Sequence, residues 1–216
     1  MLTDNKFRLI SVFLLFAILL VNTPGYANVT LVPTNEYAKI NQTFTMLDIS
    51  EVANRAFIDE VQGDGKGGWT DQGPTNDLSS FKITGKTNLL GIDFNIIDPL
   101  KNEQRSCIVL RGKDNMAFPT KVEIPVNAKG AGVYFLHACA HLRDNVGVYR
   151  FVYDDGTEEA IPIVGKRDIF DWWGINESDY SVTAWSGTND SSVISLNIFA
   201  CVNPHPNKLI KKIVAE

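Results

Sequence analysis

An all-β fold, an antiparallel β-sandwich, is what this chain predicts, and three observations predict it. Residues 133–140 are an almost continuous apolar run of strand length, the signature of a strand covered on both faces. Residues 148–153 then set Tyr149, Phe151 and Tyr153 at period two, which puts three rings on one face of a strand. Asp154-Asp155-Gly156-Thr157 separates that run from a third at 160–164. An Asp-Gly pair between such runs is the strongest short-range hairpin signal, because a primed turn requires φ > 0 at its central residues. The first run is therefore expected at the centre of a sheet, and the other two on half-solvated strands.

Taken in order, residues 1–27 read as a secretory signal peptide. Lys6 and Arg8 make a positive n-region, residues 9–21 an apolar h-region, and Gly25-Tyr26-Ala27 a small-x-small cleavage site. A membrane anchor is the alternative, but a bilayer takes about 20 apolar residues to cross. The expected mature chain starts at Asn28, with no membrane association after cleavage, and is secreted, periplasmic or held at the cell surface. Residues 28–44 read as an extended lead-in with an edge strand, and residues 45–216 as a single β-sandwich domain. Residues 47–57, LDISEVANRAF, offer Asp48 and Ser50 as caps and fit a short helix or a strand followed by a turn.

Residues 62–77, QGDGKGGWTDQGPTND, form a long loop with glycines at 63, 65, 67, 68 and 73. Glycine admits backbone conformations that other residues resist, and long ordered loops in compact domains are usually functional. Strands are expected at 89–97, closing at the Asp98-Pro99 turn, at 107–111, and at 121–126, where Pro125 argues for an edge. Further strands are expected at 181–185 and 192–202, with a turn at Gly187-Thr188-Asn189-Asp190 between them. After the Asn203-Pro204-His205-Pro206 break, residues 208–214 make the closing strand. Short strands at regular spacing with Gly, Pro and Asx turns indicate a sandwich or barrel.

Charge and motifs narrow the function. With 20 Lys and Arg against 25 Asp and Glu, the net charge is −5, and there is no basic stripe of the kind that neutralises phosphates. No nucleic-acid partner is expected. Lys208, Lys211 and Lys212 read as a solvated strand face. Cys107, Cys139 and Cys201 each sit in an apolar strand run without CxxC spacing, so buried free thiols are expected, one inter-strand disulfide being the alternative. No HExxH, GxSxG, P-loop or GxGxxG occurs. The carboxylates Asp93, Glu123, Asp154 and Glu158 lack the aromatic company of a glycosidase pair, and no catalytic residues are assigned.

Three constellations remain as candidate sites. Trp69 stands in the glycine loop, and the adjacent Trp172 and Trp173 should face opposite sides of a strand. A flat indole can stack on the apolar face of a sugar ring, or it can plug the core. Asp64, Asp71 and Asp77, with Thr70, Gln72 and Asn76, supply oxygens of the kind calcium prefers; the alternative is Asx-turn bonding within the loop. His137, among apolar neighbours, reads as a hydrogen-bonded core residue. His141 and Arg143 open the next loop, where Arg143 could offer a donor fork to hydroxyls or a uronate.

Together GGWTDQGPTNDL (67–78), YFLHA (134–138), GVYRFVYDDGTEEAIPI (147–163), DIFDWW (168–173) and NPHPNKLIKKI (203–213) resemble the galactose-binding-domain-like jelly rolls attached to, or encoded near, secreted bacterial glycoside hydrolases and polysaccharide lyases. The resemblance spans roughly residues 45–216. It implies a jelly roll that binds carbohydrate through its end loops without catalysis, as an accessory to a hydrolase or lyase. The implied ligand residues are Trp69, Asp71, Asn76, His141, Arg143 and Trp173. It also raises the case for a structural calcium on Asp64, Asp71 and Asp77. The competing expectation is a structural or adhesion domain that docks a protein partner.

Overall fold

A computed structural model describes residues 12–22, 43–112 and 118–216. The described chain is all-β, with strands β1 (Val12–Asn22), β2 (Thr43–Leu47), β3 (Gly85–Leu89), β4 (Ile92–Ile96), β5 (Ile108–Leu110), β6 (Val122–Ala128), β7 (Gly132–Ala140), β8 (Asn145–Tyr153), β9 (Glu158–Val164), β10 (Ser181–Thr188), β11 (Val193–Val202) and β12 (Ile210–Ala215). One sheet runs β10-β11-β7-β1-β2, with β5 also on β1; a second runs β6-β12-β8-β9; β3 and β4 form a separate hairpin. Among the described residues no helix is long and apolar enough to cross a membrane.

The apolar run around residue 135 becomes β7, central as its pattern requires, between β11 and β1. Its side chains divide by parity. Val133, Phe135 and Cys139 enter a core shared with Tyr149, Phe151, Ile163 and Ile213 of the facing sheet. Tyr134, Leu136 and Ala138 enter a second core with Phe57, Trp69, Leu78, Phe81 and Phe94. The larger sheet is thus covered on both sides: by the smaller sheet, and by the β3–β4 hairpin together with the glycine loop.

Residues 12–22, within the segment read as a leader, form β1, which pairs antiparallel with β7 on one side and with β2 and β5 on the other. An apolar run of this length suits a strand flanked on both sides as well as it suits an h-region. Residues 1–11 and nearly all of the lead-in at 28–44 lie outside the described residues.

Local differences have local causes. The strand expected over 89–97 is instead the turn and second arm of a hairpin. Leu90 and Gly91 take φ of 52° and 84°, the paired positive values of a two-residue primed turn. Conversely, in the Asp154–Thr157 turn only Gly156 is left-handed, with φ 83°, so that hairpin turns through a single glycine rather than a primed pair. Residues 47–57 finish β2 and continue into a 3₁₀ turn at Ser50–Val52, where Asp48 Oδ1 accepts from the Ser50 N–H at 2.9 Å. Pro125 does lie on an edge strand, β6. The last strand, β12, sits between β6 and β8, and on it Lys212 pairs with Glu123 at 2.7 Å.

The three cysteines are buried and free, and burial raises all three thiols far above their ordinary range. His137 is a core residue, as its setting predicts. Nε2 donates to the Asp168 carbonyl at 2.9 Å, so Nδ1 accepts from the Tyr149 hydroxyl at 3.0 Å. Burial depresses its pKa to about 4 and holds the ring neutral.

Candidate functional site

The glycine loop folds over one end of the larger sheet and is held by its own acidic side chains. The Asp59 N–H donates to Asp77 Oδ2 at 3.1 Å, and Asp77 Oδ1 accepts from the Ser79 N–H at 2.8 Å. Asp59 Oδ2 accepts from the Gly73 N–H at 2.8 Å, which ties the start of the loop to its end. Asp71, left-handed at φ 55°, accepts at Oδ1 from the Gly63 and Gly65 N–H groups at 3.1 Å each. Gly68 lies so close to Asp59 that an added Cβ would stand 2.3 Å from the Asp59 Cβ; a glycine is required there by approach.

This wiring corrects the expected oxygen set. Asp77 is spent on the backbone of Asp59 and Ser79, and it does not join Asp64 and Asp71. Asp59 takes its place: carboxylate oxygens of Asp59, Asp64 and Asp71 lie within 4.8 Å of one another. Nothing in the sequence marked Asp59, because its position depends on how the loop closes. Beside this cluster opens a hollow of about 360 Å³, lined by Ile58, Asp59, Val61, Asp64, Lys66 and Gln104 among others.

The tryptophans separate. Trp69 is fully buried, not on a rim, its ring edge-to-face with Trp172 at 4.9 Å and 78°. Trp172 is buried too, whereas Trp173 is 47% exposed, as adjacent residues on opposite faces must be. Of the two roles open to Trp69, the core plug is the one that forms: the glycines before it let the chain fold back and seat the indole against the sheet.

On the other side of the loop, His141, Trp173, Gln72 and Asp171 meet around a small hollow with Ala140 and Trp172. Asp171 organises it: Oδ1 accepts from the Trp173 N–H at 3.0 Å and Oδ2 from the Leu142 N–H at 3.2 Å. His141 turns there in the left-handed region, at φ 58°. The Gly174 N–H donates to the Val193 carbonyl at 2.8 Å, fixing the segment behind the exposed indole.

Of the six expected ligand residues, the structure thus brings two together at this hollow, His141 and Trp173. Trp69 lies one ring behind, beyond Trp172. Asp71 belongs to the acidic cluster. Asn76 is buried, its amide donating to Gln72 Oε1 and its Oδ1 accepting from Asn189 Nδ2 at 3.3 Å, so it joins two loops. Arg143 is exposed but outside the hollow. Gln72 and Asp171 went unassigned as ligand residues from sequence; Asp171, two residues before Trp173, carried the Asx spacing that would have identified it as an organiser. Comparisons with family models, with curated proteins and with solved structures returned no match to this chain.

Proposed function

We propose that this chain is an exported, non-catalytic glycan-binding module of galactose-binding-like jelly-roll type, recognising carbohydrate at the loop end where Trp173, His141 and Gln72 converge. One observation carries the reading: an indole almost half exposed, held on fixed backbone, beside two polar side chains at a concavity. Such a ring offers area to sugar C–H groups while neighbouring donors and acceptors take the hydroxyls. The hollow is small, so one or two sugar units would lie across it, and binding would be weak. The sandwich architecture and the order of the motifs support the jelly-roll assignment; the charged start and apolar run of residues 1–27 support export, although residues 12–22 of that run pair with β7 as β1 in the uncleaved chain.

A protein partner is the second reading. Ile175 and Val193, both exposed, extend the apolar surface next to Trp173. A glycan array on the purified chain separates the two, followed by calorimetric titration of each hit. Trp173→Ala should weaken binding at least about tenfold, roughly 1.4 kcal/mol, with the fold intact. Absence of any glycan hit, or hits indifferent to Trp173→Ala, overturns the proposal.

A further inference from the structure

A hollow of about 140 Å³ opens where residues 56–58, 78–84 and 104–106 meet, and it shares no lining residue with the hollow at Trp173. Its wall is apolar. Phe57, Leu78 and Phe81 are buried there, and the two phenyl rings stand edge-to-face at 5.4 Å and 84°. Backbone bonds fix this wall in place. The Leu78 N–H donates to the Phe57 carbonyl at 3.0 Å, the Phe81 N–H to the Leu78 carbonyl at 2.9 Å, and the Ser106 N–H to the Arg55 carbonyl at 2.7 Å. Small molecules bind in pre-formed apolar concavities that carry a few convergent polar groups, and a cavity of roughly 150 Å³ accepts a benzene ring. Two polar groups give this hollow a direction. Ser106 lines it at 0% exposure, and its Oγ is buried with no hydrogen-bond partner; a buried hydroxyl left unmet is costly. Lys82 is exposed at the mouth and forms no ion pair among the described residues. Among those residues it is also the one ionisable side chain lining the hollow, since Asp59 and Asp64 line the neighbouring one, across Ile58.

We propose that this hollow binds a small aromatic carboxylate. The ring lies against Phe57, Leu78 and Phe81, the carboxylate meets the Lys82 ammonium at the mouth, and a ring hydroxyl, where present, bonds Ser106 Oγ. A single ring suits both the volume and the aromatic wall, where edge-to-face contact adds to burial. An anion suits the charge at the mouth, because a carboxylate takes charge-assisted hydrogen bonds from an ammonium, whereas a cationic ligand would meet only Lys82. A saccharide does not fit here: its hydroxyls would face three apolar side chains and leave hydrogen bonds unmade. The hollow is therefore separate in place and in chemistry from the one at Trp173.

The test titrates the full ¹⁵N-labelled chain with 4-hydroxybenzoate, benzoate and 4-hydroxybenzyl alcohol, followed by amide chemical shifts. The expected result is saturable shifts at Phe57, Leu78, Phe81 and Ser106, and none at Trp173. A ligand of about ten non-hydrogen atoms at ordinary efficiency gives a Kd of roughly 0.1–1 mM. Lys82→Gln, at an exposed position, should weaken 4-hydroxybenzoate about threefold to fivefold and leave 4-hydroxybenzyl alcohol unchanged. Ser106→Ala removes a hydroxyl that no protein group answers, so the fold is retained; it should weaken 4-hydroxybenzoate roughly threefold to tenfold and leave benzoate unchanged. Absence of saturable shifts up to about 10 mM ligand would overturn the proposal. So would shifts centred away from this hollow, or 4-hydroxybenzoate affinity equal to the parent's in either variant. Sugar enters none of these readouts, so loss of glycan binding at Trp173 would leave them standing.

Discussion

Replacing Trp69 and Trp173 in turn separates a ring that builds the site from a ring that presents it. Trp69 is fully enclosed and edge-on to Trp172 at 4.9 Å. Trp→Ala in a packed interior costs about 3–5 kcal/mol, and loss of an aromatic pair adds to that end of the range. Against this, the Trp69 Nε1–H is buried without a partner, so its removal also relieves an unmet donor. About 3 kcal/mol is therefore expected for Trp69→Ala, a fall of roughly 6–12 °C in Tm for a chain of this size. Trp173→Ala, at a half-exposed position, should stay within about 1 kcal/mol. Urea unfolding followed by circular dichroism, with the m-value checked for constancy, measures both; glycan titration of the same samples measures recognition. The reasoning fails if Trp69→Ala keeps its full stability yet loses binding, because the indole would then face ligand rather than sheet.

Acid should destabilise the fold through His137. Its folded pKa is about 4 against an ordinary value of 6.5, so between those values the unfolded chain binds a proton that the folded protein refuses. Stability falls by about 3 kcal/mol as pH drops through that window. The gap in unfolding free energy between the parent and His137→Gln should narrow accordingly from pH 7 to pH 4, and a constant gap would refute it. Asp59 runs the other way: with its folded pKa raised, the folded state holds a proton the unfolded state releases. This contribution to stability should therefore decline as pH rises from the ordinary carboxylate value through the raised one. Thermal melts of the parent and of Asp59→Asn across that window check it, and identical slopes count against it. Gly68→Ala should cost about 1–3 kcal/mol by overpacking, because the Asp59 Cβ would stand 2.3 Å from the new methyl. Unchanged stability in urea would show that the loop has room.

Much of the architecture was written in side-chain period. Residues 133–140, apolar on both faces in all but His137, read as a strand with both faces covered; Trp172 and Trp173, being adjacent, could not share an environment; His137, surrounded by apolar neighbours, had to find partners inside. Period says that a face is covered and leaves open what covers it. The β3–β4 hairpin and the glycine loop on the outer face of the large sheet were for that reason invisible, and with them the burial of Trp69. Leu90 in a left-handed turn hid the hairpin, since a leucine there contradicts its own preference and is held by the pairing on either side. The site was legible as a list of residue types, Asp, His, Trp and Gln on loops, but not as a grouping. Which carboxylates meet depends on chain closure: left-handed glycines and Asp71 bend the loop until Asp59 replaces Asp77, and Asp171 turns the chain so that His141 meets Trp173. Local preference acts over a few bonds, whereas these contacts join segments tens of residues apart, and only packing against a common sheet brings them within reach.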